Sequence, residues 1–206
     1  MLRNYYFAEQ VPWFKVYDFV EFVANNYPDE RKNASFIESC NTVLEKEKSA
    51  YRFVGKQITQ ITSREEILEI EEALDSPFAQ VNAHLENALK LFSNKTNPDH
   101  RNSIKESISA VEALCRIVTR DDKATLGKAL DSIEREGKIK LHGALKKAFD
   151  SLYGYTSSAE GIRHALLEEP TLDSEDAKFM LISCSAFVNY LVTKASKTGL
   201  KIEQAK

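Results

Sequence analysis

The chain has 206 residues, of which 43% are hydrophobic and 29% charged, and its formal net charge is −3. This is enough apolar material for one domain with an extension or for two small lobes. The mild acidity argues against broad, non-specific adhesion to nucleic acid, which requires a basic surface, but it leaves room for a small local basic site. Charges interrupt every long apolar stretch, so we expect no membrane span and a cytoplasmic location.

Three cysteines, Cys40, Cys115 and Cys184, are far apart in the sequence and are predicted to be reduced thiols. Cysteines and histidines do not occur at the spacing of a zinc site, and the sequence lacks a P-loop, a GxGxxG loop and a GxSxG elbow. We therefore expect neither a metal nor a cofactor.

The N-terminal part predicts two helices and then a hairpin. In "VPWFKVYDFVEFVANNYPDE" and "ASFIESCNTVLEKEKSA" apolar residues recur at helical spacing, with Trp13, Phe22 and Val43 among those expected to face inward. "YRFVGKQITQI" changes to short β-prone runs around Gly55 and Lys56, which predicts a β-hairpin. Ser63 to Glu66 forms a capping box that opens a helix through Leu74.

The rest of the chain predicts helices. Ser76 with Pro77, and Asn97 with Pro98, are interpreted as a cap followed by the first helical position. A later helix starts at a cap on Asp173 and is apolar around much of its circumference, so it should be central or face a partner chain. We predict an N-terminal portion (1–75), a helical bundle (76–197) and a frayed tail (198–206). The stripe expected to face the bundle core consists of Ile104, Ile108, Val111, Cys115 and Val118.

Chemistry is expected at two places. Glu112 lies in the apolar run "SAVEALC", and a carboxylate there should be at the boundary of the buried face or paired with a cation such as Arg163. His164, beside Arg163 in "SAEGIRHALLEEP", has an ordinary pKa suited to proton transfer near neutral pH. The alternative for both is structural: an ion pair for Arg163, and a hydrogen-bonded histidine that holds a connector to the bundle.

The segments "RNSIKESISAVEALCRIV", "TLGKAL", "LHGALKKAFDSLYGYTS", "EGIRHALLEE" and "EDAKFMLISCSAFVNYL" together resemble the C-terminal bundle of abortive-infection proteins of the AbiJ N-terminal-domain group, within the HEPN superfamily. "WFKVYDFVEF" and "YRFVGKQITQIT" resemble the segment that precedes this bundle. The resemblance implies an all-α fold, a HEPN-like four-helix up-and-down bundle with an N-terminal helical segment and one small β-hairpin. Members often have more sequence before the tryptophan, so a shorter member or a fragment is expected.

Many HEPN proteins are metal-independent ribonucleases that act as dimers, so the resemblance implies a homodimer. Their motif is an arginine, then four to six residues, then a histidine. His164 falls where the family has its histidine, but residues 157–160 contain no arginine, and Arg163 is immediately adjacent. Two hypotheses therefore stay open. One is an RNA-cleaving or RNA-binding module with His164 as acid/base, Arg163 as phosphate contact and Glu112 orienting Arg163. The other is a non-catalytic interaction domain that binds a partner protein.

Overall fold

The computed structural model describes residues 11–121, 123, 126–135, 142–157 and 172–197. Within these ranges the chain forms eight helices and one two-stranded sheet, so the predicted all-α class with a small hairpin is confirmed. The helices are α1 (Phe14–Asn26), α2 (Glu30–Lys46), α3 (Arg64–Leu74), α4 (Ala79–Phe92), α5 (His100–Thr119), α6 (Leu126–Arg135), α7 (Gly143–Ser157) and α8 (Ser174–Lys197); the strands are β1 (Arg52–Val54) and β2 (Gln57–Thr59).

The hairpin forms where the sequence predicts it. β1 and β2 are antiparallel, with Phe53 opposite Ile58, and both side chains are fully buried. Gly55 takes a φ of 55°, a left-handed conformation that glycine adopts without a steric penalty. Its backbone N–H donates to Glu71 Oε1 at 2.9 Å, so the turn is also attached to α3. A two-stranded sheet is marginal alone, and here it is supported by helices.

The main core lies between α3, α4, α5 and α8. The most extensive packing joins α4 to α5, then α5 to α8 and α3 to α8. The predicted stripe on α5 is buried throughout, so the periodicity identified its inward face. In α7, Phe149 and Leu152 pack against this core, whereas Ala148 is exposed. α3 precedes residue 76 and still packs in the same core as the helices that follow it. The predicted domain boundary between residues 75 and 76 therefore stays a prediction.

A second, smaller core lies in the N-terminal part. It consists of Ala24, Phe53 and Ile58, with half-buried side chains of α1 and α2 around it. The sequence predicts that Trp13, Phe22 and Val43 face inward, but they are 56%, 61% and 58% exposed, so this prediction is wrong. Helical periodicity gives the face of a helix but not the size of the surface that it packs against.

The helix starts show which caps the chain uses. Ser63 accepts a hydrogen bond from Glu66 N, and Asp173 accepts one from Asp176 N, both as predicted. Two other predictions are wrong: α4 begins at Ala79 after Phe78, and α5 is capped by Asp99, which accepts from Asn102 N. Ser76 instead hydrogen-bonds Asn82. In each case the proline lies just before the cap instead of at the first helical position.

α8 is central, as its apolar circumference predicts. It contacts α3, α4 and α5, and most of its apolar side chains are buried, Met180, Leu181, Phe187 and Leu191 among them. By length and composition it is also the one described helix long and apolar enough to cross a membrane, and the expectation that no segment spans a membrane stays a prediction. The core helix of a soluble protein meets the same criteria, and α8 is packed as such a helix is.

Candidate functional site

The predicted catalytic pair falls in the segment between α7 and α8. Arg163 and His164 belong to residues 158–171, which lie outside the described residues. Their roles therefore stay predictions. The third predicted residue, Glu112, is in the middle of α5.

Glu112 is buried at 6% exposure on the core side of α5. Its Oε2 lies 3.9 Å from Nη2 of Arg116, one helical turn further along. The sequence expectation that a carboxylate in this apolar run is paired with a cation is thus confirmed, with Arg116 as a partner. At this distance the two charged groups form an ion pair but are too far apart for a hydrogen bond. Pairing with Arg163 stays a prediction.

A polar cavity that the sequence did not predict lies where the two cores meet. Its volume is about 270 Å³. Four separate segments supply its walls: the hairpin, the α4–α5 loop, the first turn of α5 and the first turn of α8. The lining residues are Tyr51, Thr59, Gln60, Phe92, Ser93, Asn94, Lys95, Pro98, His100 and Ser174.

Two hydroxyl groups of this cavity are buried without a partner in the part of the chain that the structure describes. Thr59 is 2% exposed and Ser93 6%, and neither Oγ1 of Thr59 nor Oγ of Ser93 is hydrogen-bonded. Nδ1 of His100 is a third such atom. Buried polar atoms nearly always have a partner, and leaving one without costs about 1–3 kcal/mol. Three such atoms belong to residues that line this cavity, but none of the three has surface exposed to it.

Lys95 brings a cation to the same cavity. Its side chain is only 5% exposed, and Nζ lies 2.5 Å from Oε2 of Glu21 and 3.8 Å from Oδ1 of Asp18. The other oxygen of Glu21 accepts from Ile58 N at 2.5 Å. Glu21 thus joins α1 to the hairpin and to the α4–α5 loop. An ammonium group has three N–H donors, and Glu21 takes one of them.

The loop that carries Ser93 and Lys95 is fixed by its own hydrogen bonds. Oδ1 of Asn94 accepts from Thr96 N at 3.1 Å and from Asn97 N at 2.9 Å. Asp99 N donates to Leu91 O at 3.1 Å, which closes the loop onto the end of α4. Side-chain bonds of this kind give a loop a defined backbone path. Ser93 and Lys95 are therefore held at the cavity wall.

Positive and negative groups both lie around the cavity. None of its lining residues is a carboxylate. His100 and Ser174 each stand at the first position of a helix, so the positive ends of two helix dipoles meet here. Carboxylates flank both helix starts and offset these dipoles: Asp99 caps α5, and Asp173, Glu175 and Asp176 lie at the start of α8.

Sequence reasoning missed this cavity because its parts look ordinary one at a time. His100 is expected to be solvent-exposed in a first turn, yet it is half-buried and its Nδ1 is inaccessible. A weak signal is present in "SNKTNPDH", a run of turn-forming polar residues whose lysine and histidine lie five residues apart. Among the described residues, no group of three or more histidine, cysteine, aspartate or glutamate side chains is placed to hold a metal.

Comparison with known proteins gives one match. No curated protein and no solved structure matched the chain at the significance required. A family model matches residues 2–76, a range that contains α1, α2, the hairpin and α3 and ends just after α3. Residues 2–76 match the family described as AbiJ N-terminal domain 4, which associates this part of the chain with abortive infection, a form of phage defence.

Proposed function

We propose that the chain is a module of an abortive-infection system that acts in the cytoplasm as a homodimer and cleaves RNA without a metal. The observation that carries the proposal is the match of residues 2–76 to AbiJ N-terminal domain 4. The helices that follow are consistent with a HEPN-like bundle over residues 76–197. RNA is the substrate that the HEPN resemblance implies.

In this proposal the chemistry belongs to Arg163 and His164. His164 takes the proton of a ribose 2′-hydroxyl, whose oxygen attacks the adjacent phosphorus. The bond to the 5′-oxygen breaks and that oxygen takes a proton from water, which leaves a 2′,3′-cyclic phosphate on one fragment and a 5′-hydroxyl on the other. Arg163 stabilises the negative charge that grows on the phosphate oxygens. Glu112, buried on α5, orients Arg163.

A second candidate function is a non-catalytic interaction domain that binds a partner protein. The ion pair between Glu112 and Arg116 favours it, because it gives the buried Glu112 carboxylate a structural partner on its own helix. Arg163 and His164 would then serve stability only.

Cleavage of labelled RNA by the purified full chain in EDTA tests the proposal. We expect fragments that end in 2′,3′-cyclic phosphate. His164→Ala should lower the cleavage rate at least about 100-fold, because general acid–base catalysis contributes about 10²–10⁴-fold. Arg163→Ala should cause a similar loss of rate. His142→Ala is the matched control, because His142 is exposed and, among the described residues, its ring accepts from Ala144 N at 3.2 Å at the start of its own helix.

Wild-type protein that leaves RNA intact at high concentration would overturn the nuclease proposal. In that case melting temperatures that are lower for His164→Ala and Arg163→Ala than for His142→Ala, which removes only one exposed bond at a helix start, would support the interaction domain. Sedimentation equilibrium tests the homodimer separately.

A further inference from the structure

We infer that the groove between α2 and α3 binds an amphipathic helix of a partner protein, one that carries a carboxylate on its apolar face. Both helices pack against β1, but among the described residues they hardly touch each other. The space between them therefore stays open, and its volume is about 600 Å³. This is large enough for several side chains of a partner.

Each of the two helices turns one face toward the groove. The lining positions recur at helical spacing, at 34, 37, 38, 41, 42 and 45 on α2 and at 64, 67, 68 and 71 on α3. The stripe on α2 spans three turns, about 16 Å at 1.5 Å per residue. Ile37 and Ile67 are half-buried in it, and Leu68 is 54% exposed. Apolar side chains in the groove would bury these three residues further.

The edge of β1 beside the groove disfavours an extended peptide. Phe53 is the residue of β1 whose backbone points away from β2, and Asn41 on α2 bonds both its N–H, at 2.7 Å, and its C=O, at 3.0 Å. A peptide strand added here would leave its own backbone groups without partners on β1. A helix bonds its own backbone, so only its side chains have to fit between α2 and α3.

The carboxylate is inferred from Arg52, which lines the groove and is only 9% exposed. Its Nη1 donates to Ser49 O at 2.8 Å and to Tyr51 O at 2.7 Å. In the described part of the chain the guanidinium has no ion pair, and Nε and Nη2 make no hydrogen bond although neither is fully buried. A mostly buried cation without an anion is unfavourable, and a carboxylate can accept from two guanidinium nitrogens at once.

The other charges on the walls favour a helix over a small ion. Two arginines and three glutamates line the groove, so neither a free anion nor a free cation matches its net charge. Glu71 is bonded to the hairpin turn. Glu38 and Glu45 on α2 and Arg64 on α3 have no ion pair among the described residues. A partner helix with basic residues toward α2 and acidic residues toward Arg52 and Arg64 complements both walls.

This inference does not rest on RNA cleavage. The groove lies within residues 34–71, inside the range that matches the family model, and neither Arg163 nor His164 takes part in it. It gives a partner class to the interaction-domain candidate, but a ribonuclease can also bind a helix here. Cleavage and helix binding are measured separately, so one can fail while the other succeeds.

Selection of random peptides of about 16 residues, enough for four helical turns, against the full chain tests the inference. We expect enriched peptides with apolar residues at i, i+3 or i+4 and i+7 and with an aspartate or glutamate on the same face. Fluorescence anisotropy of one enriched peptide then gives its Kd, and circular dichroism should show that it gains helix on binding.

Leu68→Glu should weaken binding of this peptide at least about tenfold, because it places a charge against the apolar face of the peptide. Val43→Glu is the matched control: Val43 is 58% exposed on α2 but does not line the groove, so the Kd should not change. Both substitutions are at exposed positions, and both variants should melt close to the wild-type temperature.

A double-mutant cycle tests the contact with Arg52. Arg52→Gln, and replacement of the peptide carboxylate by its amide, should each weaken binding about tenfold. Both changes together should weaken it little more than one alone, because the second change removes a partner already lost. The cycle isolates this pair even where Arg52→Gln also loosens the end of α2. Additive effects would refute the contact.

Three other results would overturn the inference. The first is that no enriched peptide binds in a way that Leu68→Glu weakens. The second is that the enriched peptides have an alternating or proline-rich pattern, which would identify an extended ligand. The third is self-association of the chain that Leu68→Glu abolishes in sedimentation equilibrium, which would identify a second copy as the occupant of the groove.

Discussion

The main core between α3, α4, α5 and α8 buries whole side chains from several helices, whereas the N-terminal core around Phe53 fully buries only a few. Large apolar side chains of α1, α2 and the residue before α1 remain exposed, including Phe22 and Trp13. The N-terminal part therefore gains less from apolar burial per residue than the helices that follow it.

Directional hydrogen bonds replace part of this burial in the N-terminal part. Asn41 on α2 accepts from Phe53 N at 2.7 Å and donates to Phe53 O at 3.0 Å, so one side chain satisfies the edge of β1. Glu21 connects Ile58 and Lys95 in the same way. Such contacts depend on single atoms, whereas apolar packing is spread over many. The comparison teaches that the two regions should respond differently to the same kind of substitution.

The largest effect is expected in the main core. Leu114→Ala should lower the free energy of unfolding by about 2–5 kcal/mol, because Leu114 is fully buried and the substitution leaves a cavity. Urea unfolding followed by circular dichroism measures it. Leu68→Ala is the control: Leu68 is 54% exposed, and a change within about 0.5 kcal/mol is expected. A loss at Leu114 no larger than at Leu68 would show that this core is loosely packed.

A smaller effect is expected at the polar contacts between the regions. Glu21→Gln keeps the shape and an acceptor for Ile58 N but removes the charge that faces Lys95, which should cost about 1.5–3 kcal/mol. In the double variant with Lys95→Met the cost should be less than the sum of the two single costs, and a double-mutant cycle measures the coupling. Glu30→Gln, at the exposed pair with Lys56, should change stability little. Additive costs at Glu21 and Lys95 would refute the coupling.

A still smaller effect tests which residue caps α5, a helix of the main core. Asp99→Ala should cost about 1 kcal/mol, because Asp99 accepts from Asn102 N at the start of α5. Asn97→Ala, at the residue that the sequence suggests as the cap, should cost less. Thermal melting of both variants decides, and a larger loss for Asn97→Ala would restore the sequence interpretation.

Features that depend on neighbours in the sequence could be predicted. The stripe on α5, the turn at Gly55 and the cap at Asp173 each follow from a period or a spacing within one segment. The caps of α4 and α5 could not be predicted, because a proline is compatible both with the first helical position and with the residue before the cap. The local pattern therefore fits two starts, and the packed structure selects one.

The candidate cavity could not be predicted for a different reason. Glu21 and Lys95 are 74 residues apart, and Thr59, Ser93 and Ser174 come from three further points of the chain. No period connects them. A threonine, a serine and a lysine in or near loops are usually solvated, so only the assembled fold shows that they are buried together. The proposed catalytic pair, Arg163 and His164, differs from the cavity, because a resemblance to a protein family suggested it from the sequence alone.

The smallest perturbation compares the two cores through their thiols. Burial raises the pKa of Cys115 and of Cys184 to about 12, and both lie in the main core. Cys40 packs against the N-terminal core and is half-buried, and burial raises its pKa by a smaller amount. Because only the thiolate reacts, we expect one of the three thiols to react with a disulfide reagent in the native protein, at a rate that rises with pH, and all three in denaturant.

Cys40→Ser is the matched control and should abolish the native reaction. The native rate also reports on local opening, because a thiol in a region that opens often reacts faster than its burial allows. If Cys115 or Cys184 reacts natively at a rate similar to that of Cys40, the main core opens as readily as the N-terminal one. The greater apolar burial of the main core would then not make it the more stable region, and the contrast between the two cores would be one of composition alone.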